Sequence, residues 1–219
     1  MKKIGILSDT HGLLRPEVLR SLQGCDAILH GGDINRKEII DRLEQIAPVH
    51  AVRGNNDKEW AENLPLFLDF DMFGLHIYMI HKKKDLPKDP GPYDLIVYGH
   101  SHRYEQRMEG GTVVINPGSC GPRRFNQDIT LAVMDLDEKC REMMIRRIDI
   151  PHAKGPAVSK DKVQKADIEK VIREVAKGRS VPEISSKLGM TPELTEQICR
   201  LYLTHPGVTA DGIMTKMGL

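Results

Sequence analysis

IGILSDTHG, from Ile4 to Gly12, climbs through apolar and β-branched residues and stops at an acid, a hydroxyl and a histidine. The run reads as a fully buried strand. On an extended backbone residues two apart share a face, so Asp9 and His11 are expected side by side at the strand's carboxyl end. Open α/β sheets keep their ligands at that edge. Taken alone, the pair equally fits an ordinary turn, with Asp9 and Thr10 capping the next element and His11 in solvent.

The same pattern recurs through the first two thirds of the chain. AILHGGD ends at Asp33, AVRGNND at Asn55 or Asp57, IYMIH at His81, and LIVYGHSH at His100 and His102, again two apart. Chance places one metal-competent group at a strand end, not five in succession. Carboxylates, imidazoles and a carboxamide form a mixed nitrogen and oxygen set suited to first-row divalent ions such as Mn, Fe or Zn, and they are too many for one ion. Gly31, Gly32, Gly54 and Gly99 precede these groups, where the backbone must turn sharply or approach an ion closely.

Outward from these motifs, strands are expected at KIGILS, DAILH, VHAVR, LFLDFDM, LHIYMIH, DLIVYGH, TVVIN, ITLAVMDLD and REMMIRRID. Helical patterns over 15–22 and 37–45 make the opening β-α-β-α-β, which implies parallel crossovers. After Trp60 the helical patterns stop until the tail, so a second sheet is expected to pack on the first in a layered α/β sandwich. PHAKGPAVSKDKVQK, 151–165, reads as a linker. It divides a domain over 1–150 from a small all-α domain over 166–219, with helices expected at 167–177, 181–188, 191–203 and 209–217.

The 219 residues are 40% hydrophobic and carry 32 basic against 31 acidic side chains, a net charge of +1. That suits one ordinary core plus a small module, and it gives no electrostatic support for tight nucleic-acid or membrane-surface binding. Four scattered cysteines without a C-x-x-C suit reduced thiols, and no apolar run approaches membrane length. The expected location is the cytoplasm.

DTH, GGD, GNND, a lone histidine and GHSH, in that order, resemble the signature of the calcineurin-like metallophosphoesterases. The plain GNND and the NPGS at 116–119 are similar to the small bacterial and archaeal phosphodiesterase branch. The resemblance implies a four-layer α-β-β-α sandwich. It also implies two divalent ions per chain, Mn favoured with Fe, Zn or Ni as alternatives. By position, Asp9, His11, Asp33 and His102 would hold one ion and Asp33, Asn55, His81 and His100 the other, with Asp33 bridging. The implied reaction is hydrolysis of a phosphodiester, in preference to a monoester, by hydroxide shared between two ions.

Two positions depart from that pattern. Asn56 stands where many members have a histidine that assists the transition state or leaving group, and it can hydrogen-bond without donating a proton at neutral pH. HKKK places Lys82 and Lys83 where a glycine and a histidine usually succeed His81. A Lys83 facing the site would pair with a phosphate oxygen or repel the second ion; facing solvent, it joins Lys84 and Lys88 in a hydrated loop, the reading preferred for at least two of the lysines. His30 reads as a support for the ligands or a satisfied core histidine. His50, His76, His152 and His205 read as structural or solvated, Arg123 and Arg124 as surface charge, and Asp57 as a residue that orients its loop.

VPEISSKLGMTPELTEQICRLYL resembles a helix-turn-helix, yet from His152 onward 11 basic residues face 8 acidic ones, and Glu193 and Glu196 sit where phosphates would lie. The preferred reading is a helical bundle that docks on the catalytic domain or makes a homodimer or protein contact. Two alternatives stand beside the enzyme. One is a weak or inactive scaffold, as the phosphoesterase-like subunit of the retromer coat exemplifies; the other is a nucleic-acid-associated phosphoesterase targeted by its tail.

Overall fold

The computed structural model describes residues 1–86, 91–122, 127–151, 163–205 and 207–219. Lys88, Arg123, Arg124, His152 and most of the expected linker lie outside these. The chain divides into two compact units, Met1–Pro151 and His152–Leu219.

In the first unit, β1 (Lys2–Leu7), β2 (Ala27–His30) and β3 (Val49–Ala51) pair in parallel, with α1 (Pro16–Leu22) and α2 (Lys37–Glu44) in the crossovers. Pro16 opens α1, where its fixed φ and missing N–H cost nothing. Val18 and Leu22 of α1, and Ile39 and Leu43 of α2, pack with Leu7 and Ile28 on one face of the sheet. The sheet is mixed: β9 (Thr130–Asp137) lies antiparallel to β1, and β10 (Glu142–Asp149) antiparallel to β9. β1 is therefore central, which is why its sequence is apolar on both faces.

The second sheet runs in the order β4 (Phe67–Met72), β5 (Leu75–Ile80), β6 (Leu95–Val97), β8 (Thr112–Pro117), β7 (Tyr104–Glu109). Two-residue turns at Phe73-Gly74 and Gly110-Gly111, all four at positive φ, close its hairpins. Ile4, Ile6 and Met134 of the first sheet meet Ile77, Val97 and Ile115 of the second in the core between them. β7 is absent from the sequence expectations. It is an edge strand, half-buried at best, and YEQRME lacks the apolar alternation that marks a buried strand.

The outer face of the second sheet is thinly covered. Ile96, Tyr98 and Val114 are buried beneath Tyr78, Ile80, Leu86 and Tyr93 and, among the described residues, beside a single 3-10 turn at Lys83–Asp85. Among the described residues, that turn is the helical part of the outer layer on this side. Only residues 81–94 join β5 to β6, and that short sequence carries Pro87, Pro90 and Gly91, residues that disfavour a helix.

The second unit is four helices: α3 (Lys165–Ala176), α4 (Val181–Leu188), α5 (Pro192–Thr204) and α6 (Ala210–Met217). Their starts are fixed by side chains. Asp167 accepts from Gln164 N, Glu183 from Ser180 N, Thr191 from Leu194 N and Thr209 from Gly212 N. Ile168, Val171, Ile184, Ile198, Ile213 and Met217 form the core. α5, the helix that a helix-turn-helix would lay in a DNA groove, is packed against α3, α4 and α6 with Thr195, Glu196, Ile198 and Cys199 buried.

Candidate metal centre

The opening pair is not held on an extended strand. β1 ends at Leu7, and Asp9 (φ 54°) and His11 (φ 45°) are both left-handed. Asp33 (55°), Asn35 (70°), His100 (70°) and His102 (58°) share that conformation, and the remaining non-glycine cases, Phe73 and Arg141, lie in hairpin turns. Asp, Asn and His tolerate this region better than other side chains, but a cluster of roughly 1–3 kcal/mol strains persists only where the surrounding fold imposes it. Hydrogen bonds impose it here: Asp9 N donates to Gly32 O, His11 N to Asp33 O and Gly12 N to Ile34 O, each at 2.9 Å. The loops after β1 and β2 are laced together and carry their side chains into one place.

Asp9 Oδ2 accepts from Ser8 Oγ (2.6 Å) and His100 N (3.0 Å). Its Oδ1 faces His102 Nε2 at 3.1 Å and His11 Nε2 at 3.6 Å, and those two nitrogens are 3.1 Å apart. Asp33 faces two ways: Oδ2 lies 3.8 Å from His11 Nε2, and Oδ1 lies 3.5 Å from His81 Nε2. Asp9, His11 and His102 converge as one possible ligand group and Asp33, His81 and His100 as a second. His81 Nδ1 is 2.7 Å from Gly31 O; assigning its proton there leaves Nε2 as a lone pair aimed at the site. Asp9 Oδ1 and His81 Nε2 are buried without a well-formed hydrogen bond. Buried polar atoms without partners are costly, and a cation held in each group would satisfy them, so the residues present fit divalent ions.

Electrostatics point the same way. Burial alone raises the Asp9 carboxyl, but His102 and His11 beside it hold it far below the usual carboxylate range. Asp33 is likewise lowered, with burial opposed by His81 and the Asn56 amide. His81 is raised because Asp33 and Asp9 outweigh its burial. His30, fully buried, is pushed down to about 3 and stays neutral, between Thr10 Oγ1 (3.1 Å) and the Gly32 amide (3.2 Å).

Two further carboxylate and amide staples hold the loops. Asp57 accepts from Ile34 N, Asn35 N and Gly54 N, tying GGD to GNND. Asn116 Nδ2 donates to Gly99 O (2.7 Å) and its Oδ1 accepts from Gly118 N, while Ser119 Oγ donates to Asp9 O (2.9 Å). The supporting roles of Ser8, Asn116 and Ser119 were not read from the sequence, although NPGS marked where two of them lie. Glycine is required at two close approaches. A Cβ on Gly54 would stand 2.2 Å from Asp33 N, and one on Gly99 would stand 2.1 Å from Ser8 Oγ.

Not every expected residue is gathered in. Asn55 is exposed, and it is Asn56 that touches Asp33, donating from Nδ2 to Asp33 Oδ2 (2.6 Å) and from N to Oδ1 (2.8 Å). Lys83 Nζ instead pairs with Glu105 (2.8 and 3.0 Å) and lies 5.7 Å above the Tyr98 ring. Lys84 is exposed and Lys82 half-buried. His50 stacks on Phe70, His76 pairs with Asp69, and His205 lies at the end of α5.

The calcineurin-like phosphoesterase superfamily domain matches residues 1–139, nearly all of the first unit. The chain belongs to this superfamily. Among curated relatives, a probable metallophosphoesterase of Methanothermobacter thermautotrophicus is 29% identical over 163 residues, covering 68% of this chain and 94% of that protein. A phosphodiesterase of Methanocaldococcus jannaschii is 29% identical over 140 residues, covering 54% and 84%. Among solved structures, an archaeal phosphodiesterase aligns with a TM-score of 0.56 at 27% identity, covering 68% of this chain and 99% of its own. Vps29 of Entamoeba histolytica, solved with zinc, aligns at 0.53 and 22% identity, covering 67% and 98%, a likeness of fold alone. As a calcineurin-like phosphoesterase the chain is of a hydrolase family that binds divalent metals. No helix among the described residues is long and apolar enough to cross a membrane.

Proposed function

We propose that the first unit is a metal-dependent phosphodiesterase with a two-ion centre. Asp9, His11, Asp33 and His102 would hold one ion, preferably Mn, and Asp33, His81 and His100 the other, with Asn55 joining when the ion is bound. The observation that carries the reading is Asp33: its two oxygens face histidines of the two different groups, as those of a bridging carboxylate can. A bound ion pair supplies an activated water and neutralises charge on the phosphoryl oxygens. Around it, the chain's residues orient and support. Ser8 and the His100 amide fix the Asp9 carboxylate, Gly31 O fixes the His81 ring, and Asn56 fixes Asp33 and faces the same space as a neutral hydrogen-bond donor.

The test uses metal-stripped protein re-supplied with Mn, assayed on bis(p-nitrophenyl) phosphate beside p-nitrophenyl phosphate, with Asp33→Asn as control. Metal-dependent cleavage with the diester preferred supports the reading. Metal uptake without hydrolysis of either ester overturns it and favours a scaffold.

A further inference from the structure

Behind the second ligand group runs a chain of hydrogen bonds in which chemistry fixes each donor and acceptor. Gly32 N can only donate, so His30 Nδ1 accepts from it at 3.2 Å. The proton of that neutral ring then sits on Nε2 and points at Thr10 Oγ1 at 3.1 Å, which leaves the Thr10 hydroxyl to donate to Ile34 O. On the other side Gly31 O can only accept. His81 Nδ1 therefore carries its proton toward that carbonyl at 2.7 Å, and His81 Nε2 is left as a lone pair. His30 and Thr10 are fully buried, which shields these bonds from bulk water.

The two halves of the chain meet in a single peptide. Gly31 O and Gly32 N–H belong to one planar trans unit, in which they point in opposite directions. Imidazoles thus hold it from both sides, His30 at the N–H and His81 at the C=O. The unit lies between two glycines, the second at φ 94°, where the backbone meets little steric resistance to turning over. Gly32 also has to be glycine, since a Cβ there would stand 2.8 Å from His81 Nδ1. Turned over, the peptide would present an N–H to His81 Nδ1 and favour the tautomer with its proton on Nε2. That proton would occupy the direction in which a ligating lone pair has to point.

We propose that His30 is a positioning residue: it keeps the Gly31–Gly32 peptide facing one way and, through it, holds His81 in the tautomer that ligates. The role of His81 as a ligand is taken from the two-ion reading. His30 acts through the backbone, at one remove from the ions. Neither a protonated ring nor an apolar side chain at this position could accept from Gly32 N.

The test reads tautomers directly, from the imidazole nitrogen resonances of the metal-free protein in alkaline solution, where both rings are neutral. Wild type is expected to show His30 protonated on Nε2 and His81 on Nδ1. His30→Leu supplies no acceptor and should shift His81 toward the Nε2 form. It should also weaken the binding of one of two Mn ions by about 10–100-fold in a calorimetric titration, the usual effect of losing a group that orients a ligand. His30→Asn should restore both, because an Asn side chain bonds the backbone amide two residues on. A residue that merely filled the core would lower the melting temperature and leave the His81 tautomer where it was, and that result overturns the proposal. So does a wild-type His81 protonated on Nε2, which needs no variant to fold. Tautomers that respond as stated in a protein that takes up no ion uphold the positioning role while the two-ion reading fails. Two ions bound with the His81 tautomer unmoved by His30→Leu does the reverse.

Discussion

Asp33 takes two hydrogen bonds from one neighbour, Asn56, and presents an oxygen to each histidine group. Replacing it with Asn removes a charge that both groups face, so Asp33→Asn is expected to lower hydrolysis by more than about 100-fold, beyond the 10–100-fold typical of an outer residue. Metal content per chain, read by atomic emission, should fall with it; full occupancy in that variant would contradict a shared carboxylate. Lys83 carries the opposite expectation. Its ammonium is half-exposed and already paired with Glu105, a kind of contact worth about 0.2–1 kcal/mol. Lys83→Ala should therefore leave kcat/KM on bis(p-nitrophenyl) phosphate within about fivefold of wild type. A larger loss would put the lysine in the site after all.

At the level of loops and strands, the centre depends on two connections being pressed together. Gly99 brings the GHSH loop against Ser8 and Asp9, where an added Cβ would lie 2.1 Å from one and 2.8 Å from the other. Gly99→Ala is expected to cost about 1–3 kcal/mol, the usual range for overpacking, seen as a lower melting temperature of the metal-free protein. Much of this scale was legible beforehand. Buried strands announce themselves by apolar runs, so the ends of β1, β2, β5 and β6, where most of the proposed ligands sit, could be placed from the sequence. The exceptions have physical causes. β7 pairs on one side only and needs no apolar pattern. The left-handed backbone at Asp9 and His11 is imposed by the loop after β2, a non-local partner that periodicity cannot register. Whether Asn55 or Asn56 faces Asp33 depends on the same loop geometry. Helix starts in the tail were readable because capping is local, whereas the burial of α5 depends on three other helices.

Over the whole chain, two units with separate cores should unfold separately. Ion binding is linked only to the first, so a chelator should lower that calorimetric transition and leave the other in place; a site at 100 times its Kd contributes about 2.7 kcal/mol. The second unit has its own pH signature. Lys187, Lys177 and Arg179 surround the Glu174 carboxyl, whose side chain is 8% exposed, and hold it below its ordinary value of 4.5. A lowered folded value means the stabilisation is complete above pH 4.5 and fades as pH falls through the folded value. The second transition should drop in acid, and Glu174→Gln should flatten that slope; an unchanged slope would assign the acid sensitivity elsewhere. The bond from Ser119 to the carbonyl of Asp9 spans 110 residues, and β1 waits longer still for β9. At about 5–20 residues per second on the ribosome, the first ligands exist for about 5 to 20 seconds before their anchor is made. On the proposed two-ion reading the centre would be finished only once the first unit has been translated, and the ions available then, rather than those present as Asp9 emerges, would determine what it carries.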